Sequence, residues 1–160
     1  AQPVSDKATV VFMRPSGFGF LVQSSLFELG PGGDKFIGIV PAKRKVAYVT
    51  EPGTTRFMVI GESAGFMDAQ LEAGKVYYAL VTPRMGVCKA RFSLKPIAAS
   101  ELTTTQFTDW SNDCIQIENT EASRAWSEEH WSSIQSKKIE YLAEWQSGGD
   151  RPALKASDGK

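Results

Sequence analysis

His130 is the only histidine among the 160 residues, and that removes much chemistry. Histidine-rich zinc and non-haem iron sites need two or more imidazoles, and two cysteines cannot make the four-thiolate alternative. A Ser-His-Asp or Cys-His device would have to use His130, which lies between Glu129 and Trp131 on an expected helix. A lone imidazole in that setting is ordinarily a surface or half-buried helix residue. The glycine-rich stretches fail as phosphate loops. Ala69 stands where the first Gly of a GxxxxGK motif ending at Gly74-Lys75 would fall, and Val76 replaces the Ser or Thr that would meet magnesium. GFGFLV, residues 17 to 22, lacks the third glycine of a dinucleotide fingerprint and leads into a strand pattern; Gly17 and Gly19 read as a turn or bulge beside Pro15. Glu128 and Glu129 are sequence neighbours, so they diverge on a helix where glycosidase acids must converge. No catalytic, cofactor-binding or metal-ligating residue is assigned, and the expectation is a chain that is not an enzyme and carries no cofactor.

Three sets of residues retain possible roles. Cys88 and Cys114 are compatible with one disulfide in an oxidising compartment, or with two buried thiols. Lys43-Arg44-Lys45 is a short basic run in a turn, smaller than the clusters that normally contact phosphates and suited to discouraging edge pairing. Trp110, Trp126, Trp131 and Trp145 offer large rigid area for an interaction surface or for stacking on sugars, although at helical spacing such residues more often fill a core.

The charge balance narrows the partners. Eighteen basic residues offset eighteen acidic ones, so no net field draws the chain to nucleic acid or anionic lipid. The 42% apolar and 22% charged content is that of an ordinary globular domain, and no window approaches the ~18 apolar residues of a membrane span. The chain begins AQPVSDK without a Met, as it would after signal-peptide removal or other trimming.

The elements that must position these residues fall into two regions. Residues 8 to 97 show short alternating runs separated by turns: ATVVFMR at 8 to 14, ending at Pro15; FLVQSSLFEL at 20 to 29, joined by GPGGD to KFIGIV as a hairpin; KVAYVTE at 45 to 51; RFMVIGES after the PGTT turn; and KARFSLKPI at 89 to 97. In LEAGKVYYALV, Val76, Tyr78 and Leu80 face one way and Tyr77, Ala79 and Val81 the other, so this strand is covered on both sides and stops at Pro83. The expectation is a mostly β chain: an antiparallel β-sandwich of about seven strands over 8–97. Residues 98–147 form a C-terminal α-helical extension packed on it. One helix from Thr120 to Trp145, about 39 Å long, has Asn119 or Thr120 as its cap and Gly148-Gly149 as its end. Its stripe of Trp131, Ile134, Leu142 and Trp145 is expected to dock on the sheet carrying Tyr77 or Tyr78, with a second copy of the chain as the other acceptor. Residues 148–160 carry too little apolar surface to fold and are expected to be a mobile tail.

With RPS at 14 to 16, the PG turn at 52 to 53 and EAGKVYYALV at 72 to 81, the chain resembles a family of uncharacterised bacterial exported proteins and lipoproteins. Their small β-sandwich is in the style of PEGA and carboxypeptidase-regulatory-like modules. The resemblance covers residues 8 to 97 and implies a non-enzymatic domain exported to the periplasm, the outer membrane or the medium, with no catalytic residues to carry over. The helical extension departs from that pattern. The function expected is a structural or protein-interaction role with an envelope partner or a second copy. The alternative is a small-ligand or glycan-binding module using exposed aromatics such as Phe18, Phe20, Trp110 and Trp126.

Overall fold

In the computed structural model, which describes residues 1–84, 91–149 and 151–160, strand β1 (Ala8–Arg14) is buried at all seven positions. Its alternation explains why. Val10 and Phe12 enter one apolar cluster and Val11 and Met13 another on the opposite face. The other strands are β2 (Ser25–Gly30), β3 (Gly33–Ile39), β4 (Arg44–Thr50), β5 (Gly53–Ile60), β6 (Ala64–Leu71), β7 (Val76–Arg84), β8 (Arg91–Pro96), β9 (Ile115–Gln116) and β10 (Ala153–Leu154). Among the described residues they form two five-stranded sheets, ordered β8-β7-β1-β4-β9 and β10-β6-β5-β2-β3. The sheets face each other across a core in which the rings of Phe12 and Phe57 meet edge to face at 5.2 Å. They approach closely at Gly65, where a Cβ would fall 2.6 Å from the Phe92 carbonyl oxygen, so no larger residue fits there.

The chain is therefore mostly β, but the sheets are mixed and hold more than seven strands. β1 pairs parallel with β7, β4 with β9 and β6 with β10; the remaining pairings are antiparallel. The second expected run shortens to β2, because residues 20 to 24 are loop and turn. β6 replaces what read as a connector before Gly74; its Met67, Ala69 and Leu71 alternate into the core with Asp68 and Gln70 on the other face. Pro83 does not end β7, which continues to Arg84. Pairing with β1 stops at Leu80, so β7 has one neighbour there and the missing proline N–H leaves no ladder partner unsatisfied.

The extension forms three helices, α1 (Thr105–Asp113), α2 (Glu121–Glu129) and α3 (Trp131–Ser147). The expected single helix is broken at His130, whose ψ of 9° ends α2 and starts α3. Thr120 caps α2 and Gly148 ends α3. The docking surface also differs from expectation. Phe107 and Trp110 of α1 cover the sheet carrying Tyr78, with the Tyr78 and Phe107 rings 4.9 Å apart. The stripe of Trp131, Ile134, Leu142 and Trp145 covers the other sheet, on Phe27, Met58, Ile60 and Phe66. Two sheets thus lie between two helical layers.

Nor is the C-terminal segment a mobile tail. Ala153 and Leu154 pair with Asp68 and Ala69, Leu154 is buried, and Lys160 and Val76 exchange both backbone hydrogen bonds at 3.0 Å. Tyr77 Oη donates to the Ala156 carbonyl at 3.0 Å. Main-chain pairing supplies what the composition lacks.

One buried polar cluster joins the two sheets. The Glu28 carboxylate accepts from Tyr48 Oη at 2.7 Å, from Thr50 Oγ1 at 2.9 and 3.0 Å, and from Thr55 Oγ1 at 2.8 Å. Burial and the Glu28 hydrogen bond raise the Tyr48 pKa above its ordinary value of 10.0. The phenol is protonated in both states at neutral pH. Above pH 10 the unfolded chain releases that proton while the folded chain retains it, so stability is lost as pH rises through the folded value. Tyr48→Phe is expected to cost about 1–2 kcal/mol at pH 7 and to flatten the alkaline fall, which is about 1.4 kcal/mol per pH unit for one proton. The fall is reduced rather than abolished, because burial raises the Tyr78 phenol too. Urea unfolding between pH 8 and 11 measures both effects.

Candidate functional site

Arg14 closes β1 as a fully buried arginine. Its Nη1 donates to the Val22 carbonyl at 3.0 Å, to Ser24 Oγ at 3.1 Å and to the Val40 carbonyl at 3.1 Å; Nη2 donates to the Gly19 carbonyl at 2.9 Å. The guanidinium carbon sits 4.6 Å from the centre of the Phe92 ring. No carboxylate among the described residues pairs with it, and burial lowers its pKa from the ordinary value. An arginine is an uncommon choice for such a place, since desolvating its charge is costly and neutral acceptors return less than a carboxylate. Its fork does what no apolar residue could: it ties three separate carbonyls to the end of one strand.

Those carbonyls belong to the irregular segment 15–24 and to the start of the β3–β4 connection. Ser24 Oγ donates to the Val40 carbonyl at 2.6 Å, the Val22 amide to the Gly19 carbonyl at 2.9 Å, and the Lys43 amide to the Arg14 carbonyl at 2.7 Å. Gly19 at φ 67° lets the loop turn back on the guanidinium. With its main chain held inward, the loop directs its large side chains outward. Phe18 is 56%, Phe20 68% and Leu21 86% exposed. A basic residue lies beside this tip and a second follows it in the chain. Lys43, itself at φ 62°, places its Cε 3.9 Å from where a Gly17 Cβ would lie, and Arg44 pairs with the exposed Ile115 of β9. Lys45 is engaged elsewhere, donating to the Ser111 carbonyl at 2.8 Å at the end of α1. The basic run thus divides, with Lys43 exposed and Lys45 anchoring a helix.

The residues singled out in sequence are dispersed. Trp110 lies on one outer sheet face, and Trp126, Trp131 and Trp145 on the other. All four are half-buried: Trp126 packs on Phe36, Trp131 on Phe27 and Trp145 on Phe66. The guanidinium of Arg56, paired with Asp68 at 2.6 Å, also lies 5.0 Å from the Trp145 ring. His130 is exposed, stacks on Trp126 at 4.9 Å and has Nδ1 2.9 Å from the Trp126 carbonyl. Cys114 is buried at the end of α1, which raises the pKa of its thiol; Cys88, its expected disulfide partner, lies outside the described residues. Among the described residues, no group of three or more His, Cys, Asp or Glu is placed to hold a metal ion. No helix among them is long and apolar enough to cross a membrane. Arg14 and Glu28 were the residues that sequence reasoning passed over. Their signal was a charged side chain terminating or interrupting an otherwise apolar run, in ATVVFMR and SLFELG.

No family model matches the chain, and no curated protein does. A solved NMR structure of a protein from Eubacterium rectale is similar, with a TM-score of 0.38 and 11% identity over 60% of this chain and 93% of that one. So distant a likeness carries no functional argument.

Proposed function

We propose that this is a non-enzymatic docking module of the bacterial envelope, which binds a partner protein through the apolar tip Phe18-Gly19-Phe20-Leu21. The observation that carries this reading is the use of Arg14. A buried cation is spent on holding a loop whose outward side chains serve no internal packing. Burying each of these side chains in a partner is worth about 1.5–3 kcal/mol, and aromatic anchors ringed by weaker contacts are how interfaces concentrate their energy. Lys43 beside the tip, with Arg44 next to it in the chain, favours an acidic rim on the partner and would speed encounter. Phe18 and Phe20 stand on a protruding tip, which suits insertion into a protein pocket better than enclosure of a small ligand or glycan. The envelope setting and the absence of an activity follow the family resemblance. Support for the second comes from His130, whose polar contact is to its own helix.

The test is photo-crosslinking in bacterial cells from the full-length chain, with the crosslinking residue at position 20. One discrete heterologous adduct in the envelope fraction is expected, weakened by Lys43→Glu with Arg44→Glu, and absent when the crosslinker replaces Val49, an exposed residue of β4. No adduct at position 20, the same adduct from both positions, a self-adduct, or recovery in the cytosol alone would overturn the reading.

A further inference from the structure

β7 ends and β8 begins with an arginine, and the two stand in a costly arrangement. Arg84 and Arg91 are directly opposite each other in the antiparallel pair, and like charges in that position destabilise a sheet. Thr82 and Ser93 form the next opposite pair, and Lys95 follows Ser93 on the same face because strand side chains alternate. All five line one open cleft of about 710 Å³ at the seam between the sheets. Tyr141 and Trp145 of α3 line its opposite wall, and among the described residues Glu144 is the one acidic residue of the lining. No carboxylate among the described residues is ion-paired with Arg84, Arg91 or Lys95.

From this arrangement we infer that the cleft binds a soluble ligand bearing a phosphate group, held between Arg84 and Arg91 with Lys95 and the hydroxyls of Thr82 and Ser93 beside them. Two adjacent guanidinium forks present several N–H donors to one tetrahedral oxyanion, and the two flanking hydroxyls can donate to its remaining oxygens. A bound anion also removes the repulsion between the arginines, so binding relieves a strain built into the strand pair. The aromatic wall gives room for a flat apolar portion of the same ligand. The cleft shares no lining residue with the tip at residues 18 to 21, although a Cβ at Gly19 would lie 3.9 Å from Pro83, between Thr82 and Arg84.

Thermal unfolding of the full chain with inorganic pyrophosphate, against sodium chloride at matched ionic strength, tests the inference. Pyrophosphate is expected to raise the melting temperature saturably and chloride is not. Arg84→Ala should weaken pyrophosphate binding about tenfold or more. Arg91→Glu should abolish it while leaving the ligand-free melting temperature equal or higher, because the introduced carboxylate would pair with Arg84; a residue with only a structural role would lower it. If Arg91→Glu does not fold, Arg91→Gln decides by the same binding measurement. A shift that follows ionic strength alone, binding retained in the folded variant, or binding of phosphatidylglycerol vesicles without any response to pyrophosphate would overturn the proposal.

Discussion

Arg14→Leu is expected to lower the melting temperature by on the order of 10 °C, the largest effect of any single substitution considered. Leucine fills part of the space but donates nothing: the carbonyls of Gly19 and Val40 keep the Val22 amide and the Ser24 hydroxyl as donors, while the Val22 carbonyl loses its guanidinium donor. Each of the four lost hydrogen bonds to the charged guanidinium is worth about 1.5–3 kcal/mol, and part of that is recovered because leucine carries no charge to desolvate and the loop can open to water. A net loss of about 3–5 kcal/mol follows, and in a chain of this size 1 kcal/mol shifts the midpoint by roughly 2–4 °C. The loop responds first. Chymotrypsin should cleave at Phe18, Phe20 or Leu21 in the variant at temperatures where the wild-type chain is intact. Arg14→Lys should rescue little, because one ammonium cannot reach carbonyls on three sides of a planar fork. If Arg14→Leu melted within 2 °C of wild type and resisted protease equally, the guanidinium would not be what holds the loop.

That prediction rests on a residue whose charge at the end of ATVVFMR stands in the sequence but whose partners do not, and the reason is general. Alternation along ATVVFMR and VYYALV marked β1 and β7 and their two covered faces, because the period of two is local. What each face meets depends on pairings far apart in the chain. β1 joins β7 in parallel across more than sixty intervening positions, and nothing in either run specifies the direction. Sheet direction was therefore misread as uniformly antiparallel. β6 was missed because Gly65 and Asp68 each serve another structural element: the glycine admits the Phe92 carbonyl, and the aspartate pairs with Arg56. The C-terminal segment escaped for a related reason, since its attachment is main-chain pairing to β6 and β7, with Leu154 as the sole buried apolar side chain. As for the site, Gly17 and Gly19 read as a turn, but Phe20 and Leu21 read as the start of a strand, and the structure places them on the exposed loop. The loop's rigidity was not legible, because Arg14 acts on acceptors that composition and periodicity do not register.

The helical layer gives the second large effect. Ile134 of α3 is 2% exposed and sits among Phe27, Met58, Ile60 and Phe66, so it tests directly whether the helices are docked on this sheet. Ile134→Ala removes three carbon atoms from a seam walled by aromatic rings that are themselves pinned: Phe27 lies between Phe36 at 5.4 Å and Trp131 at 6.1 Å. Those neighbours have little freedom to close the gap, which places the cost toward about 3 kcal/mol within the ~2–5 kcal/mol range for such truncations. Ile139 on the same helix is 74% exposed, and Ile139→Ala should stay within about 0.5 kcal/mol. Helix propensity favours alanine over isoleucine equally at both positions, so the difference between the two variants isolates the seam. Urea unfolding measures it as a change of midpoint at constant slope. Equal and small losses in both variants would mean that α3 does not bury this face against β2, β5 and β6 in solution. In that case Trp126, Trp131 and Trp145 would stand exposed, and the helix pair would replace the loop at residues 18 to 21 as the surface offered to a partner.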